Sequence, residues 1–306
     1  MLIVAGLVAA SSPAGGASAG PGSLIAFTRC RELTSCLRGS DIWVMRPDVS
    51  GLKRLTRDGT HNGSPSWSPD GGRIAFVSGR DGFDQIWTMK ADGSGMRRLT
   101  APQGLDEQPA WSPDGRRIAF VRKASATRGA IYLINANGTG LQALTRGRGD
   151  YQHPSWSPDG RRIVYSYAPD PRRTRYGIYV AEATGRGEHK LSLHSTADYL
   201  DPAWSPDGRR IAFSYLVPRG KTYTAHLKTM NAGGGNERAV AHAPVDTVYF
   251  APSWSPGGGQ IVFVTLNGHR GLAELSIVNA DGSRLRTLRQ LLGDSRGPAW
   301  RVLRQK

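Results

Sequence analysis

Five copies of one twelve-residue segment punctuate this chain: PSWSPDGGRIAF at 65–76, PAWSPDGRRIAF at 109–120, PSWSPDGRRIVY at 154–165, PAWSPDGRRIAF at 202–213 and PSWSPGGGQIVF at 252–263. A sixth, shortened copy, Pro298-Ala299-Trp300, lies near the end. The repeated tryptophans fall at 67, 111, 156, 204, 254 and 300, a period of 44 to 50 residues. A period of that length marks stacked supersecondary units, each burying its apolar face against its neighbours.

Residues 64–100 show what one unit builds. A short extended stretch, 64–68, meets the tight turn Pro69-Asp70-Gly71. Proline presets φ, aspartate suits the second central position and glycine accepts left-handed backbone. The apolar run 73–78 is six residues long, the length of a strand covered on both faces. A third strand follows at 85–89, a hairpin signal at Asp92-Gly93, and a fourth strand at 96–100. Four antiparallel strands per unit make one propeller blade.

The chain ends set the expected blade count. Residues 23–28 (SLIAFT) match a second strand with no Pro-x-Trp strand before it, and 297–301 supply the missing one. A blade shared between the termini leaves no open sheet edge. The expected fold is therefore all-β: a six-bladed propeller of four-stranded antiparallel blades, closed by the C-terminal strand pairing into the N-terminal blade. The repeated tryptophans, together with Trp43 and Trp87, are expected in the core.

Residues 1–19 differ in kind: a short apolar run, 2–10, precedes Ala17-Ser18-Ala19, the pattern of a cleaved secretory leader. No lysine or arginine precedes that run. Residues 20–306 then form a single propeller domain, periplasmic or secreted, with no transmembrane segment. The two cysteines, Cys30 and Cys36, are expected to form a disulfide in an exported chain. They lack Cys-x-x-Cys spacing and further zinc ligands, and nothing in the sequence calls for a cofactor.

The net charge of +16 favours anionic partners, such as an envelope polymer or an acidic protein. Nucleic acid is not expected, since no basic-plus-aromatic binding motif appears. Loops between second and third strands carry the basic residues, among them Arg29, Arg31, Arg38, Arg80, Arg122, Lys123, Arg128, Arg172 and Arg270. Loops between blades carry acids and aromatics. An acidic, aromatic-lined mouth inside a basic rim follows. The candidate partner-binding residues are Asp106, Glu107, Tyr151, His153, Tyr199, Asp201, Tyr249, Phe250 and Arg296, the aromatics acting as anchors.

The motif Pro-x-Trp-Ser-Pro-Asp-Gly-x-x-Ile-Ala-Phe, followed by Ile-Trp-x-Met-x-x-Asp-Gly and Arg-Arg-Leu-Thr, resembles the TolB-type propeller repeat family, most closely at 64–100 and 108–145. The resemblance implies a periplasmic propeller that binds a protein such as the Pal lipoprotein. The family's name-giving member also has an N-terminal α/β domain that contacts TolA. Only a few residues here separate the expected cleavage site from the first blade, so no TolA contact is expected. Similar repeats occur in peptidase and polysaccharide-lyase propellers, and fold alone does not choose among them.

The leading expectation is a non-catalytic, monomeric adaptor or scaffold that docks a protein or peptide over the channel. The alternative is a propeller enzyme acting on envelope or extracellular polysaccharide. A glycosidase would set Asp106 or Glu107 across the channel from Asp201 or Asp246; a metal-dependent lyase would gather His61, His153, His194 and His242. The one Gly-x-Ser-x-Gly segment, 16–20, falls at the leader and has no strand–turn–helix context.

Overall fold

The structure, a computed structural model, describes residues 23–30, 39–126, 128–170, 175–192, 196–219, 222–267, 272–291 and 297–301. The expected leader, Cys36, His194, Arg296 and much of the basic loop set (Arg31, Arg38, Arg172, Arg270) lie outside these residues.

Among the described residues all regular structure is strand. In chain order the strands are β1 (Ile25–Cys30), β2 (Ser40–Met45) and β3 (Lys53–Arg54), then β4 (Asn62–Trp67), β5 (Arg73–Ser78), β6 (Gln85–Lys90) and β7 (Arg97–Arg98). Next come β8 (Leu105–Trp111), β9 (Arg117–Ser125), β10 (Arg128–Asn135) and β11 (Gln142–Ala143), then β12 (Asp150–Trp156), β13 (Arg162–Ala168), β14 (Gly177–Glu182) and β15 (His189–Lys190). The last are β16 (Asp198–Trp204), β17 (Arg210–Arg219), β18 (Thr222–Asn231), β19 (Arg238–Ala241), β20 (Thr247–Trp254), β21 (Gln260–Asn267), β22 (Leu272–Asn279), β23 (Arg286–Leu291) and β24 (Ala299–Trp300).

Each group β4–β7, β8–β11 and β12–β15 is a four-stranded antiparallel sheet. The groups β16–β19 and β20–β23 share one sheet through a single parallel bridge, Ala225 to Val248. Strands β1–β3 take β24 as their fourth member, with Ile25 opposite Trp300 and Ala26 opposite Ala299. The innermost strands β4, β8, β12, β16, β20 and β24 touch in that order, and β24 also touches β4.

The repeated residues explain the repeated shape. In the turn after β4, the Ser68 hydroxyl donates to Asp70 Oδ1 at 2.5 Å, and that oxygen accepts the Gly72 N–H at 2.9 Å. These bonds hold the Asp70 carboxyl below its usual range, and Gly71 takes φ +65 as a tight turn requires. The Leu-Thr that ends each fourth-strand segment has its own task. Thr56, Thr100 and Thr145 accept the N–H of Ile42, Ile86 and Ile131 at 2.9–3.0 Å, which satisfies a buried donor beside a two-residue strand.

The cores lie between neighbouring sheets. Ile42, Val44 and Leu55 pack on Trp67, Ile74 and Phe76, and Phe27 and Met45 pack on Val262, Leu275 and Trp300. Phe76, Phe120, Phe213 and Phe263, all fully buried at equivalent positions, each contribute about 1.5–3 kcal/mol of hydrophobic stabilisation. The motif tryptophans sit between units, as expected, and arginines cover them. Arg117, Arg162 and Arg210 stack over Trp156, Trp204 and Trp254 of the following unit at 4.8–5.0 Å, and Arg301 stacks over Trp67 at 5.2 Å. Where the motif reads Pro-Ser-Trp, Ser66, Ser155 and Ser253 accept the backbone N–H of the next tryptophan at 3.0–3.3 Å. Where it reads Pro-Ala-Trp, the carbonyls of Ala110 and Ala203 instead accept the next indole N–H at 3.0–3.1 Å.

Candidate functional site

The residue before the motif proline is Ser64, Gln108, His153, Asp201, Ala251 or Gly297, and all six have left-handed backbone, φ +50 to +59. Proline normally drives its predecessor to extended backbone, and for the non-glycine cases this conformation costs about 1–2 kcal/mol each. Pairing slips at this point in β4, β8, β12, β16 and β20. The slip is a bulge, which re-aims the following side chains. All six residues consequently line one axial cavity of about 780 Å³.

The cavity wall is largely apolar, formed by Leu105, Leu200, Leu216, Val248, Phe250 and the six motif prolines. Four of the polar groups, from Gln108, His153, Asp201 and Ser214, lie in one connected run. Gln108 Oε1 accepts the His153 backbone N–H at 2.7 Å, and Gln108 Nε2 lies 3.0 Å from His153 Nε2. His153 Nδ1 stands 3.0 Å from Asp201 Oδ1. Asp201 Oδ2 accepts the Ala251 N–H at 3.0 Å and the Ser214 hydroxyl at 3.1 Å. The contact of His153 with Asp201 is one of proximity, since among the described residues His153 Nδ1 makes no hydrogen bond of good geometry. Burial alone would raise the Asp201 carboxyl; His153, the Ala251 N–H and Ser214 together hold it below its ordinary value. The Ser64 hydroxyl is buried in the wall without a partner.

Of the residues chosen from sequence, Glu107, His153, Asp201 and Phe250 line this cavity. Three others need correction. Tyr151, Tyr199 and Tyr249 are 2%, 0% and 5% exposed, so they are core residues and not contact anchors. Tyr151 stacks on Tyr167 with ring centres 4.1 Å apart, Tyr199 on Phe213 at 5.3 Å, and Tyr249 meets Phe263 at 4.9 Å. Burial raises the phenol pKa of Tyr151 and Tyr249. Asp106 is fully buried and accepts a bidentate pair from Arg122 at 2.7 and 2.8 Å.

Among the described residues, several members of the expected acidic mouth and basic rim pair with one another. Lys123 bridges to Asp150 at 2.9 Å, Arg175 to Asp198 at 3.6 Å and Arg80 to Asp58 at 2.6 Å. Tyr176 donates to Asp150 at 2.6 Å and Gln152 to the same oxygen at 2.6 Å, enough to hold that carboxyl low despite its burial. Of the four candidate histidines, His194 lies outside the described residues, and the other three do not gather. His61 pairs with Asp84, His153 with Asp201, and His242 packs against His226. Among the described residues no three His, Cys, Asp or Glu side chains are placed to hold a metal ion. Cys30, at the end of β1, is disulfide-bonded.

Sequence reasoning missed Leu105, Gln108, Leu200, Leu216 and Val248, which line the cavity. The position directly before each motif proline would have found Gln108; nothing in the repeat singles out the four apolar residues.

Antiparallel four-stranded blades arranged about an axial cavity define a β-propeller. The sequence profile of the TolB beta propeller domain matches residues 32–128 and 100–304, and the chain belongs to that family. No curated protein matches it by sequence. Among solved structures, TolB from Acinetobacter baumannii superposes with a TM-score of 0.75 at 23% identity, over 91% of this chain and 66% of that one. A structure assigned as TolB from Agrobacterium tumefaciens gives 0.69 at 20% identity, over 91% and 97%. An oligogalacturonate lyase from Vibrio parahaemolyticus gives 0.55 at 13% identity, over 88% and 74%. This chain thus spans just under two-thirds of the Acinetobacter protein, and likeness at these identities concerns the fold.

Proposed function

We propose that this chain is an exported, non-catalytic binding module. It is a six-bladed propeller, closed by β24 in the first blade, that docks a protein or peptide over the channel mouth. The axial cavity carries this reading: an apolar wall built from all the innermost strands, with a connected run of polar groups, is the usual form of a recognition site. Family membership supports a protein partner, of which a Pal-type envelope lipoprotein is the first to test. Export through a cleaved leader at 1–19 belongs to the same proposal. Among the described residues no helix is long and apolar enough to cross a membrane. The polysaccharide-enzyme alternative rests on fold likeness, with Glu107 and Asp201 as the carboxylates at the cavity wall.

Leu105 tests the docking role. It lines the mouth and is 45% exposed, so Leu105→Asp should leave the melting temperature within about 2 °C of wild type. Calorimetric titration with the source organism's Pal-type lipoprotein should show at least a ~10-fold loss of affinity in this variant. Wild-type binding should persist at about 0.5 M salt, where surface charge is screened. Unchanged affinity in the variant, or binding that vanishes with salt, counts against docking at the mouth.

A further inference from the structure

A second cavity, of about 790 Å³, lies at the far end of β20 from the mouth, between the β18–β19 and β22–β23 hairpins. Its floor includes Gly258 and Gly259 of the fifth motif turn. The other four turns serve as internal controls. In each, an aspartate (Asp70, Asp114, Asp159, Asp207) accepts a serine hydroxyl at 2.5 Å. The same oxygen accepts the backbone N–H two residues on at 2.9–3.0 Å.

The fifth copy has Gly257 where that aspartate stands, and the backbone of the turn is otherwise unchanged. Gly258 N–H donates to the Ser255 carbonyl at 2.9 Å, Gln260 N–H to Ser255 Oγ at 3.0 Å, and Gly258 keeps φ +68. Gln260 stands where the other four copies have an arginine, and the carboxylate is missing. The Gly259 N–H therefore lacks the side-chain acceptor that its four counterparts have. A Cβ built at Gly257 meets nothing within 4 Å, so the vacated space is open.

Arginines line the cavity that Gly258 and Gly259 border. Arg210, Arg238 and Arg284 line the cavity against one acid, Asp281, whose Oδ1 already accepts the Ser283 N–H and hydroxyl at 2.9 and 2.7 Å. Arg210 is held in place by stacking on Trp254. Among the described residues, Arg238 and Arg284 make no guanidinium hydrogen bond or ion pair. Arg284 (φ +54) and Asn236 (φ +51) occupy the hairpin position that Gly95, Gly140 and Gly187 fill elsewhere. Left-handed backbone suits asparagine but disfavours arginine, and both residues face this cavity. Departures from the repeat in one turn and two hairpins thus converge on one place.

We propose that this cavity binds an acidic saccharide, with a ligand carboxylate taking the seat that aspartate fills in the other turns. Guanidinium groups favour planar, bidentate recognition of such a group. The rest of the wall mixes Met230, Ala239, Val240 and Ala280 with the amides and hydroxyls of Thr229, Asn231, Asn279 and Ser283, the mixture of apolar and polar groups that a sugar ring presents.

The test is calorimetric titration of the whole protein with a uronic acid tetrasaccharide, its carboxyl-reduced counterpart, and inorganic phosphate. The acidic sugar should bind at least ~10-fold more tightly than the other two. Gly257→Asp should cut that affinity at least ~10-fold by returning the seat to the chain's own carboxylate. The Arg238→Gln/Arg284→Gln double variant should do the same, whereas Leu105→Asp should not. Gly257 has no left-handed φ and an open Cβ position, so a melting curve will confirm that Gly257→Asp folds. No binding by wild type, undiminished binding by Gly257→Asp, equal binding of the reduced sugar, or phosphate binding as tightly as the uronate each overturns the proposal.

Discussion

Trp300→Ala is expected to destabilise the protein by about 3–5 kcal/mol, as much as Trp156→Ala in the interior of the array. Trp300 is 3% exposed, packs with Ile25, Phe27, Met45 and Val262, and donates its backbone N–H to Ser253 at 3.0 Å. It therefore joins the first sheet to the last. In a closed ring the loss of this side chain opens a cavity like any other between blades, and the melting temperature should fall by roughly 10 °C. In an open array a terminal tryptophan would be half-solvated, and its removal would cost well under half as much as that of Trp156. Melting curves of the two variants side by side separate these cases. A mild Trp300→Ala effect beside a severe Trp156→Ala effect would refute ring closure.

Asp201→Ala is expected to cost about 3 kcal/mol or more at neutral pH, because it strips a buried carboxylate from several partners at once. The Ala251 N–H loses its acceptor, and His153 Nδ1 loses the carboxylate beside it. The pH dependence has a definite sign. The folded-state pKa of Asp201 lies below its ordinary value of 3.8, so the carboxylate's contribution is fully present above 3.8. That contribution is lost as pH falls through the folded-state value. The stability gap between wild type and Asp201→Ala should therefore be constant near neutrality and shrink in acid. Denaturant unfolding at a series of pH values reads this directly, and a gap that widens toward low pH contradicts the assignment.

Much of the architecture was legible in the repeat. The run at 73–78 is β5 to the residue, the glycine of the Pro-Asp-Gly turn has positive φ, and the C-terminal segment pairs beside 25–26. These features depend on local chemistry repeated in register. The site was less legible, for one physical reason. Tyr199 and Asp201 are both read as mouth residues from their place between blades, and alternation along β16 would also put them on one face. The bulge after Leu200, with Asp201 in left-handed backbone, breaks that alternation. Tyr199 turns into the inter-sheet core while Leu200 and Asp201 face the channel. Left-handed backbone directly before proline runs against local preference, and tertiary packing imposes it here. The ion pairs that neutralise Asp106 and Asp150 could not be assigned from sequence for a related reason. They join neighbouring strands or blades, at separations that a list of loop charges does not reveal.

The docking role at the channel mouth is tested most directly by site-specific photocrosslinking in the source cells, with the crosslinking side chain at position 200 or 141. Leu200 lines the axial cavity, whereas Leu141 is exposed beyond the β10 hairpin, away from it. The expected result is a single protein adduct from position 200, formed at high salt, suppressed by Leu105→Asp and absent from position 141. Equal labelling from both positions, or no protein adduct from position 200, contradicts a partner seated at the mouth.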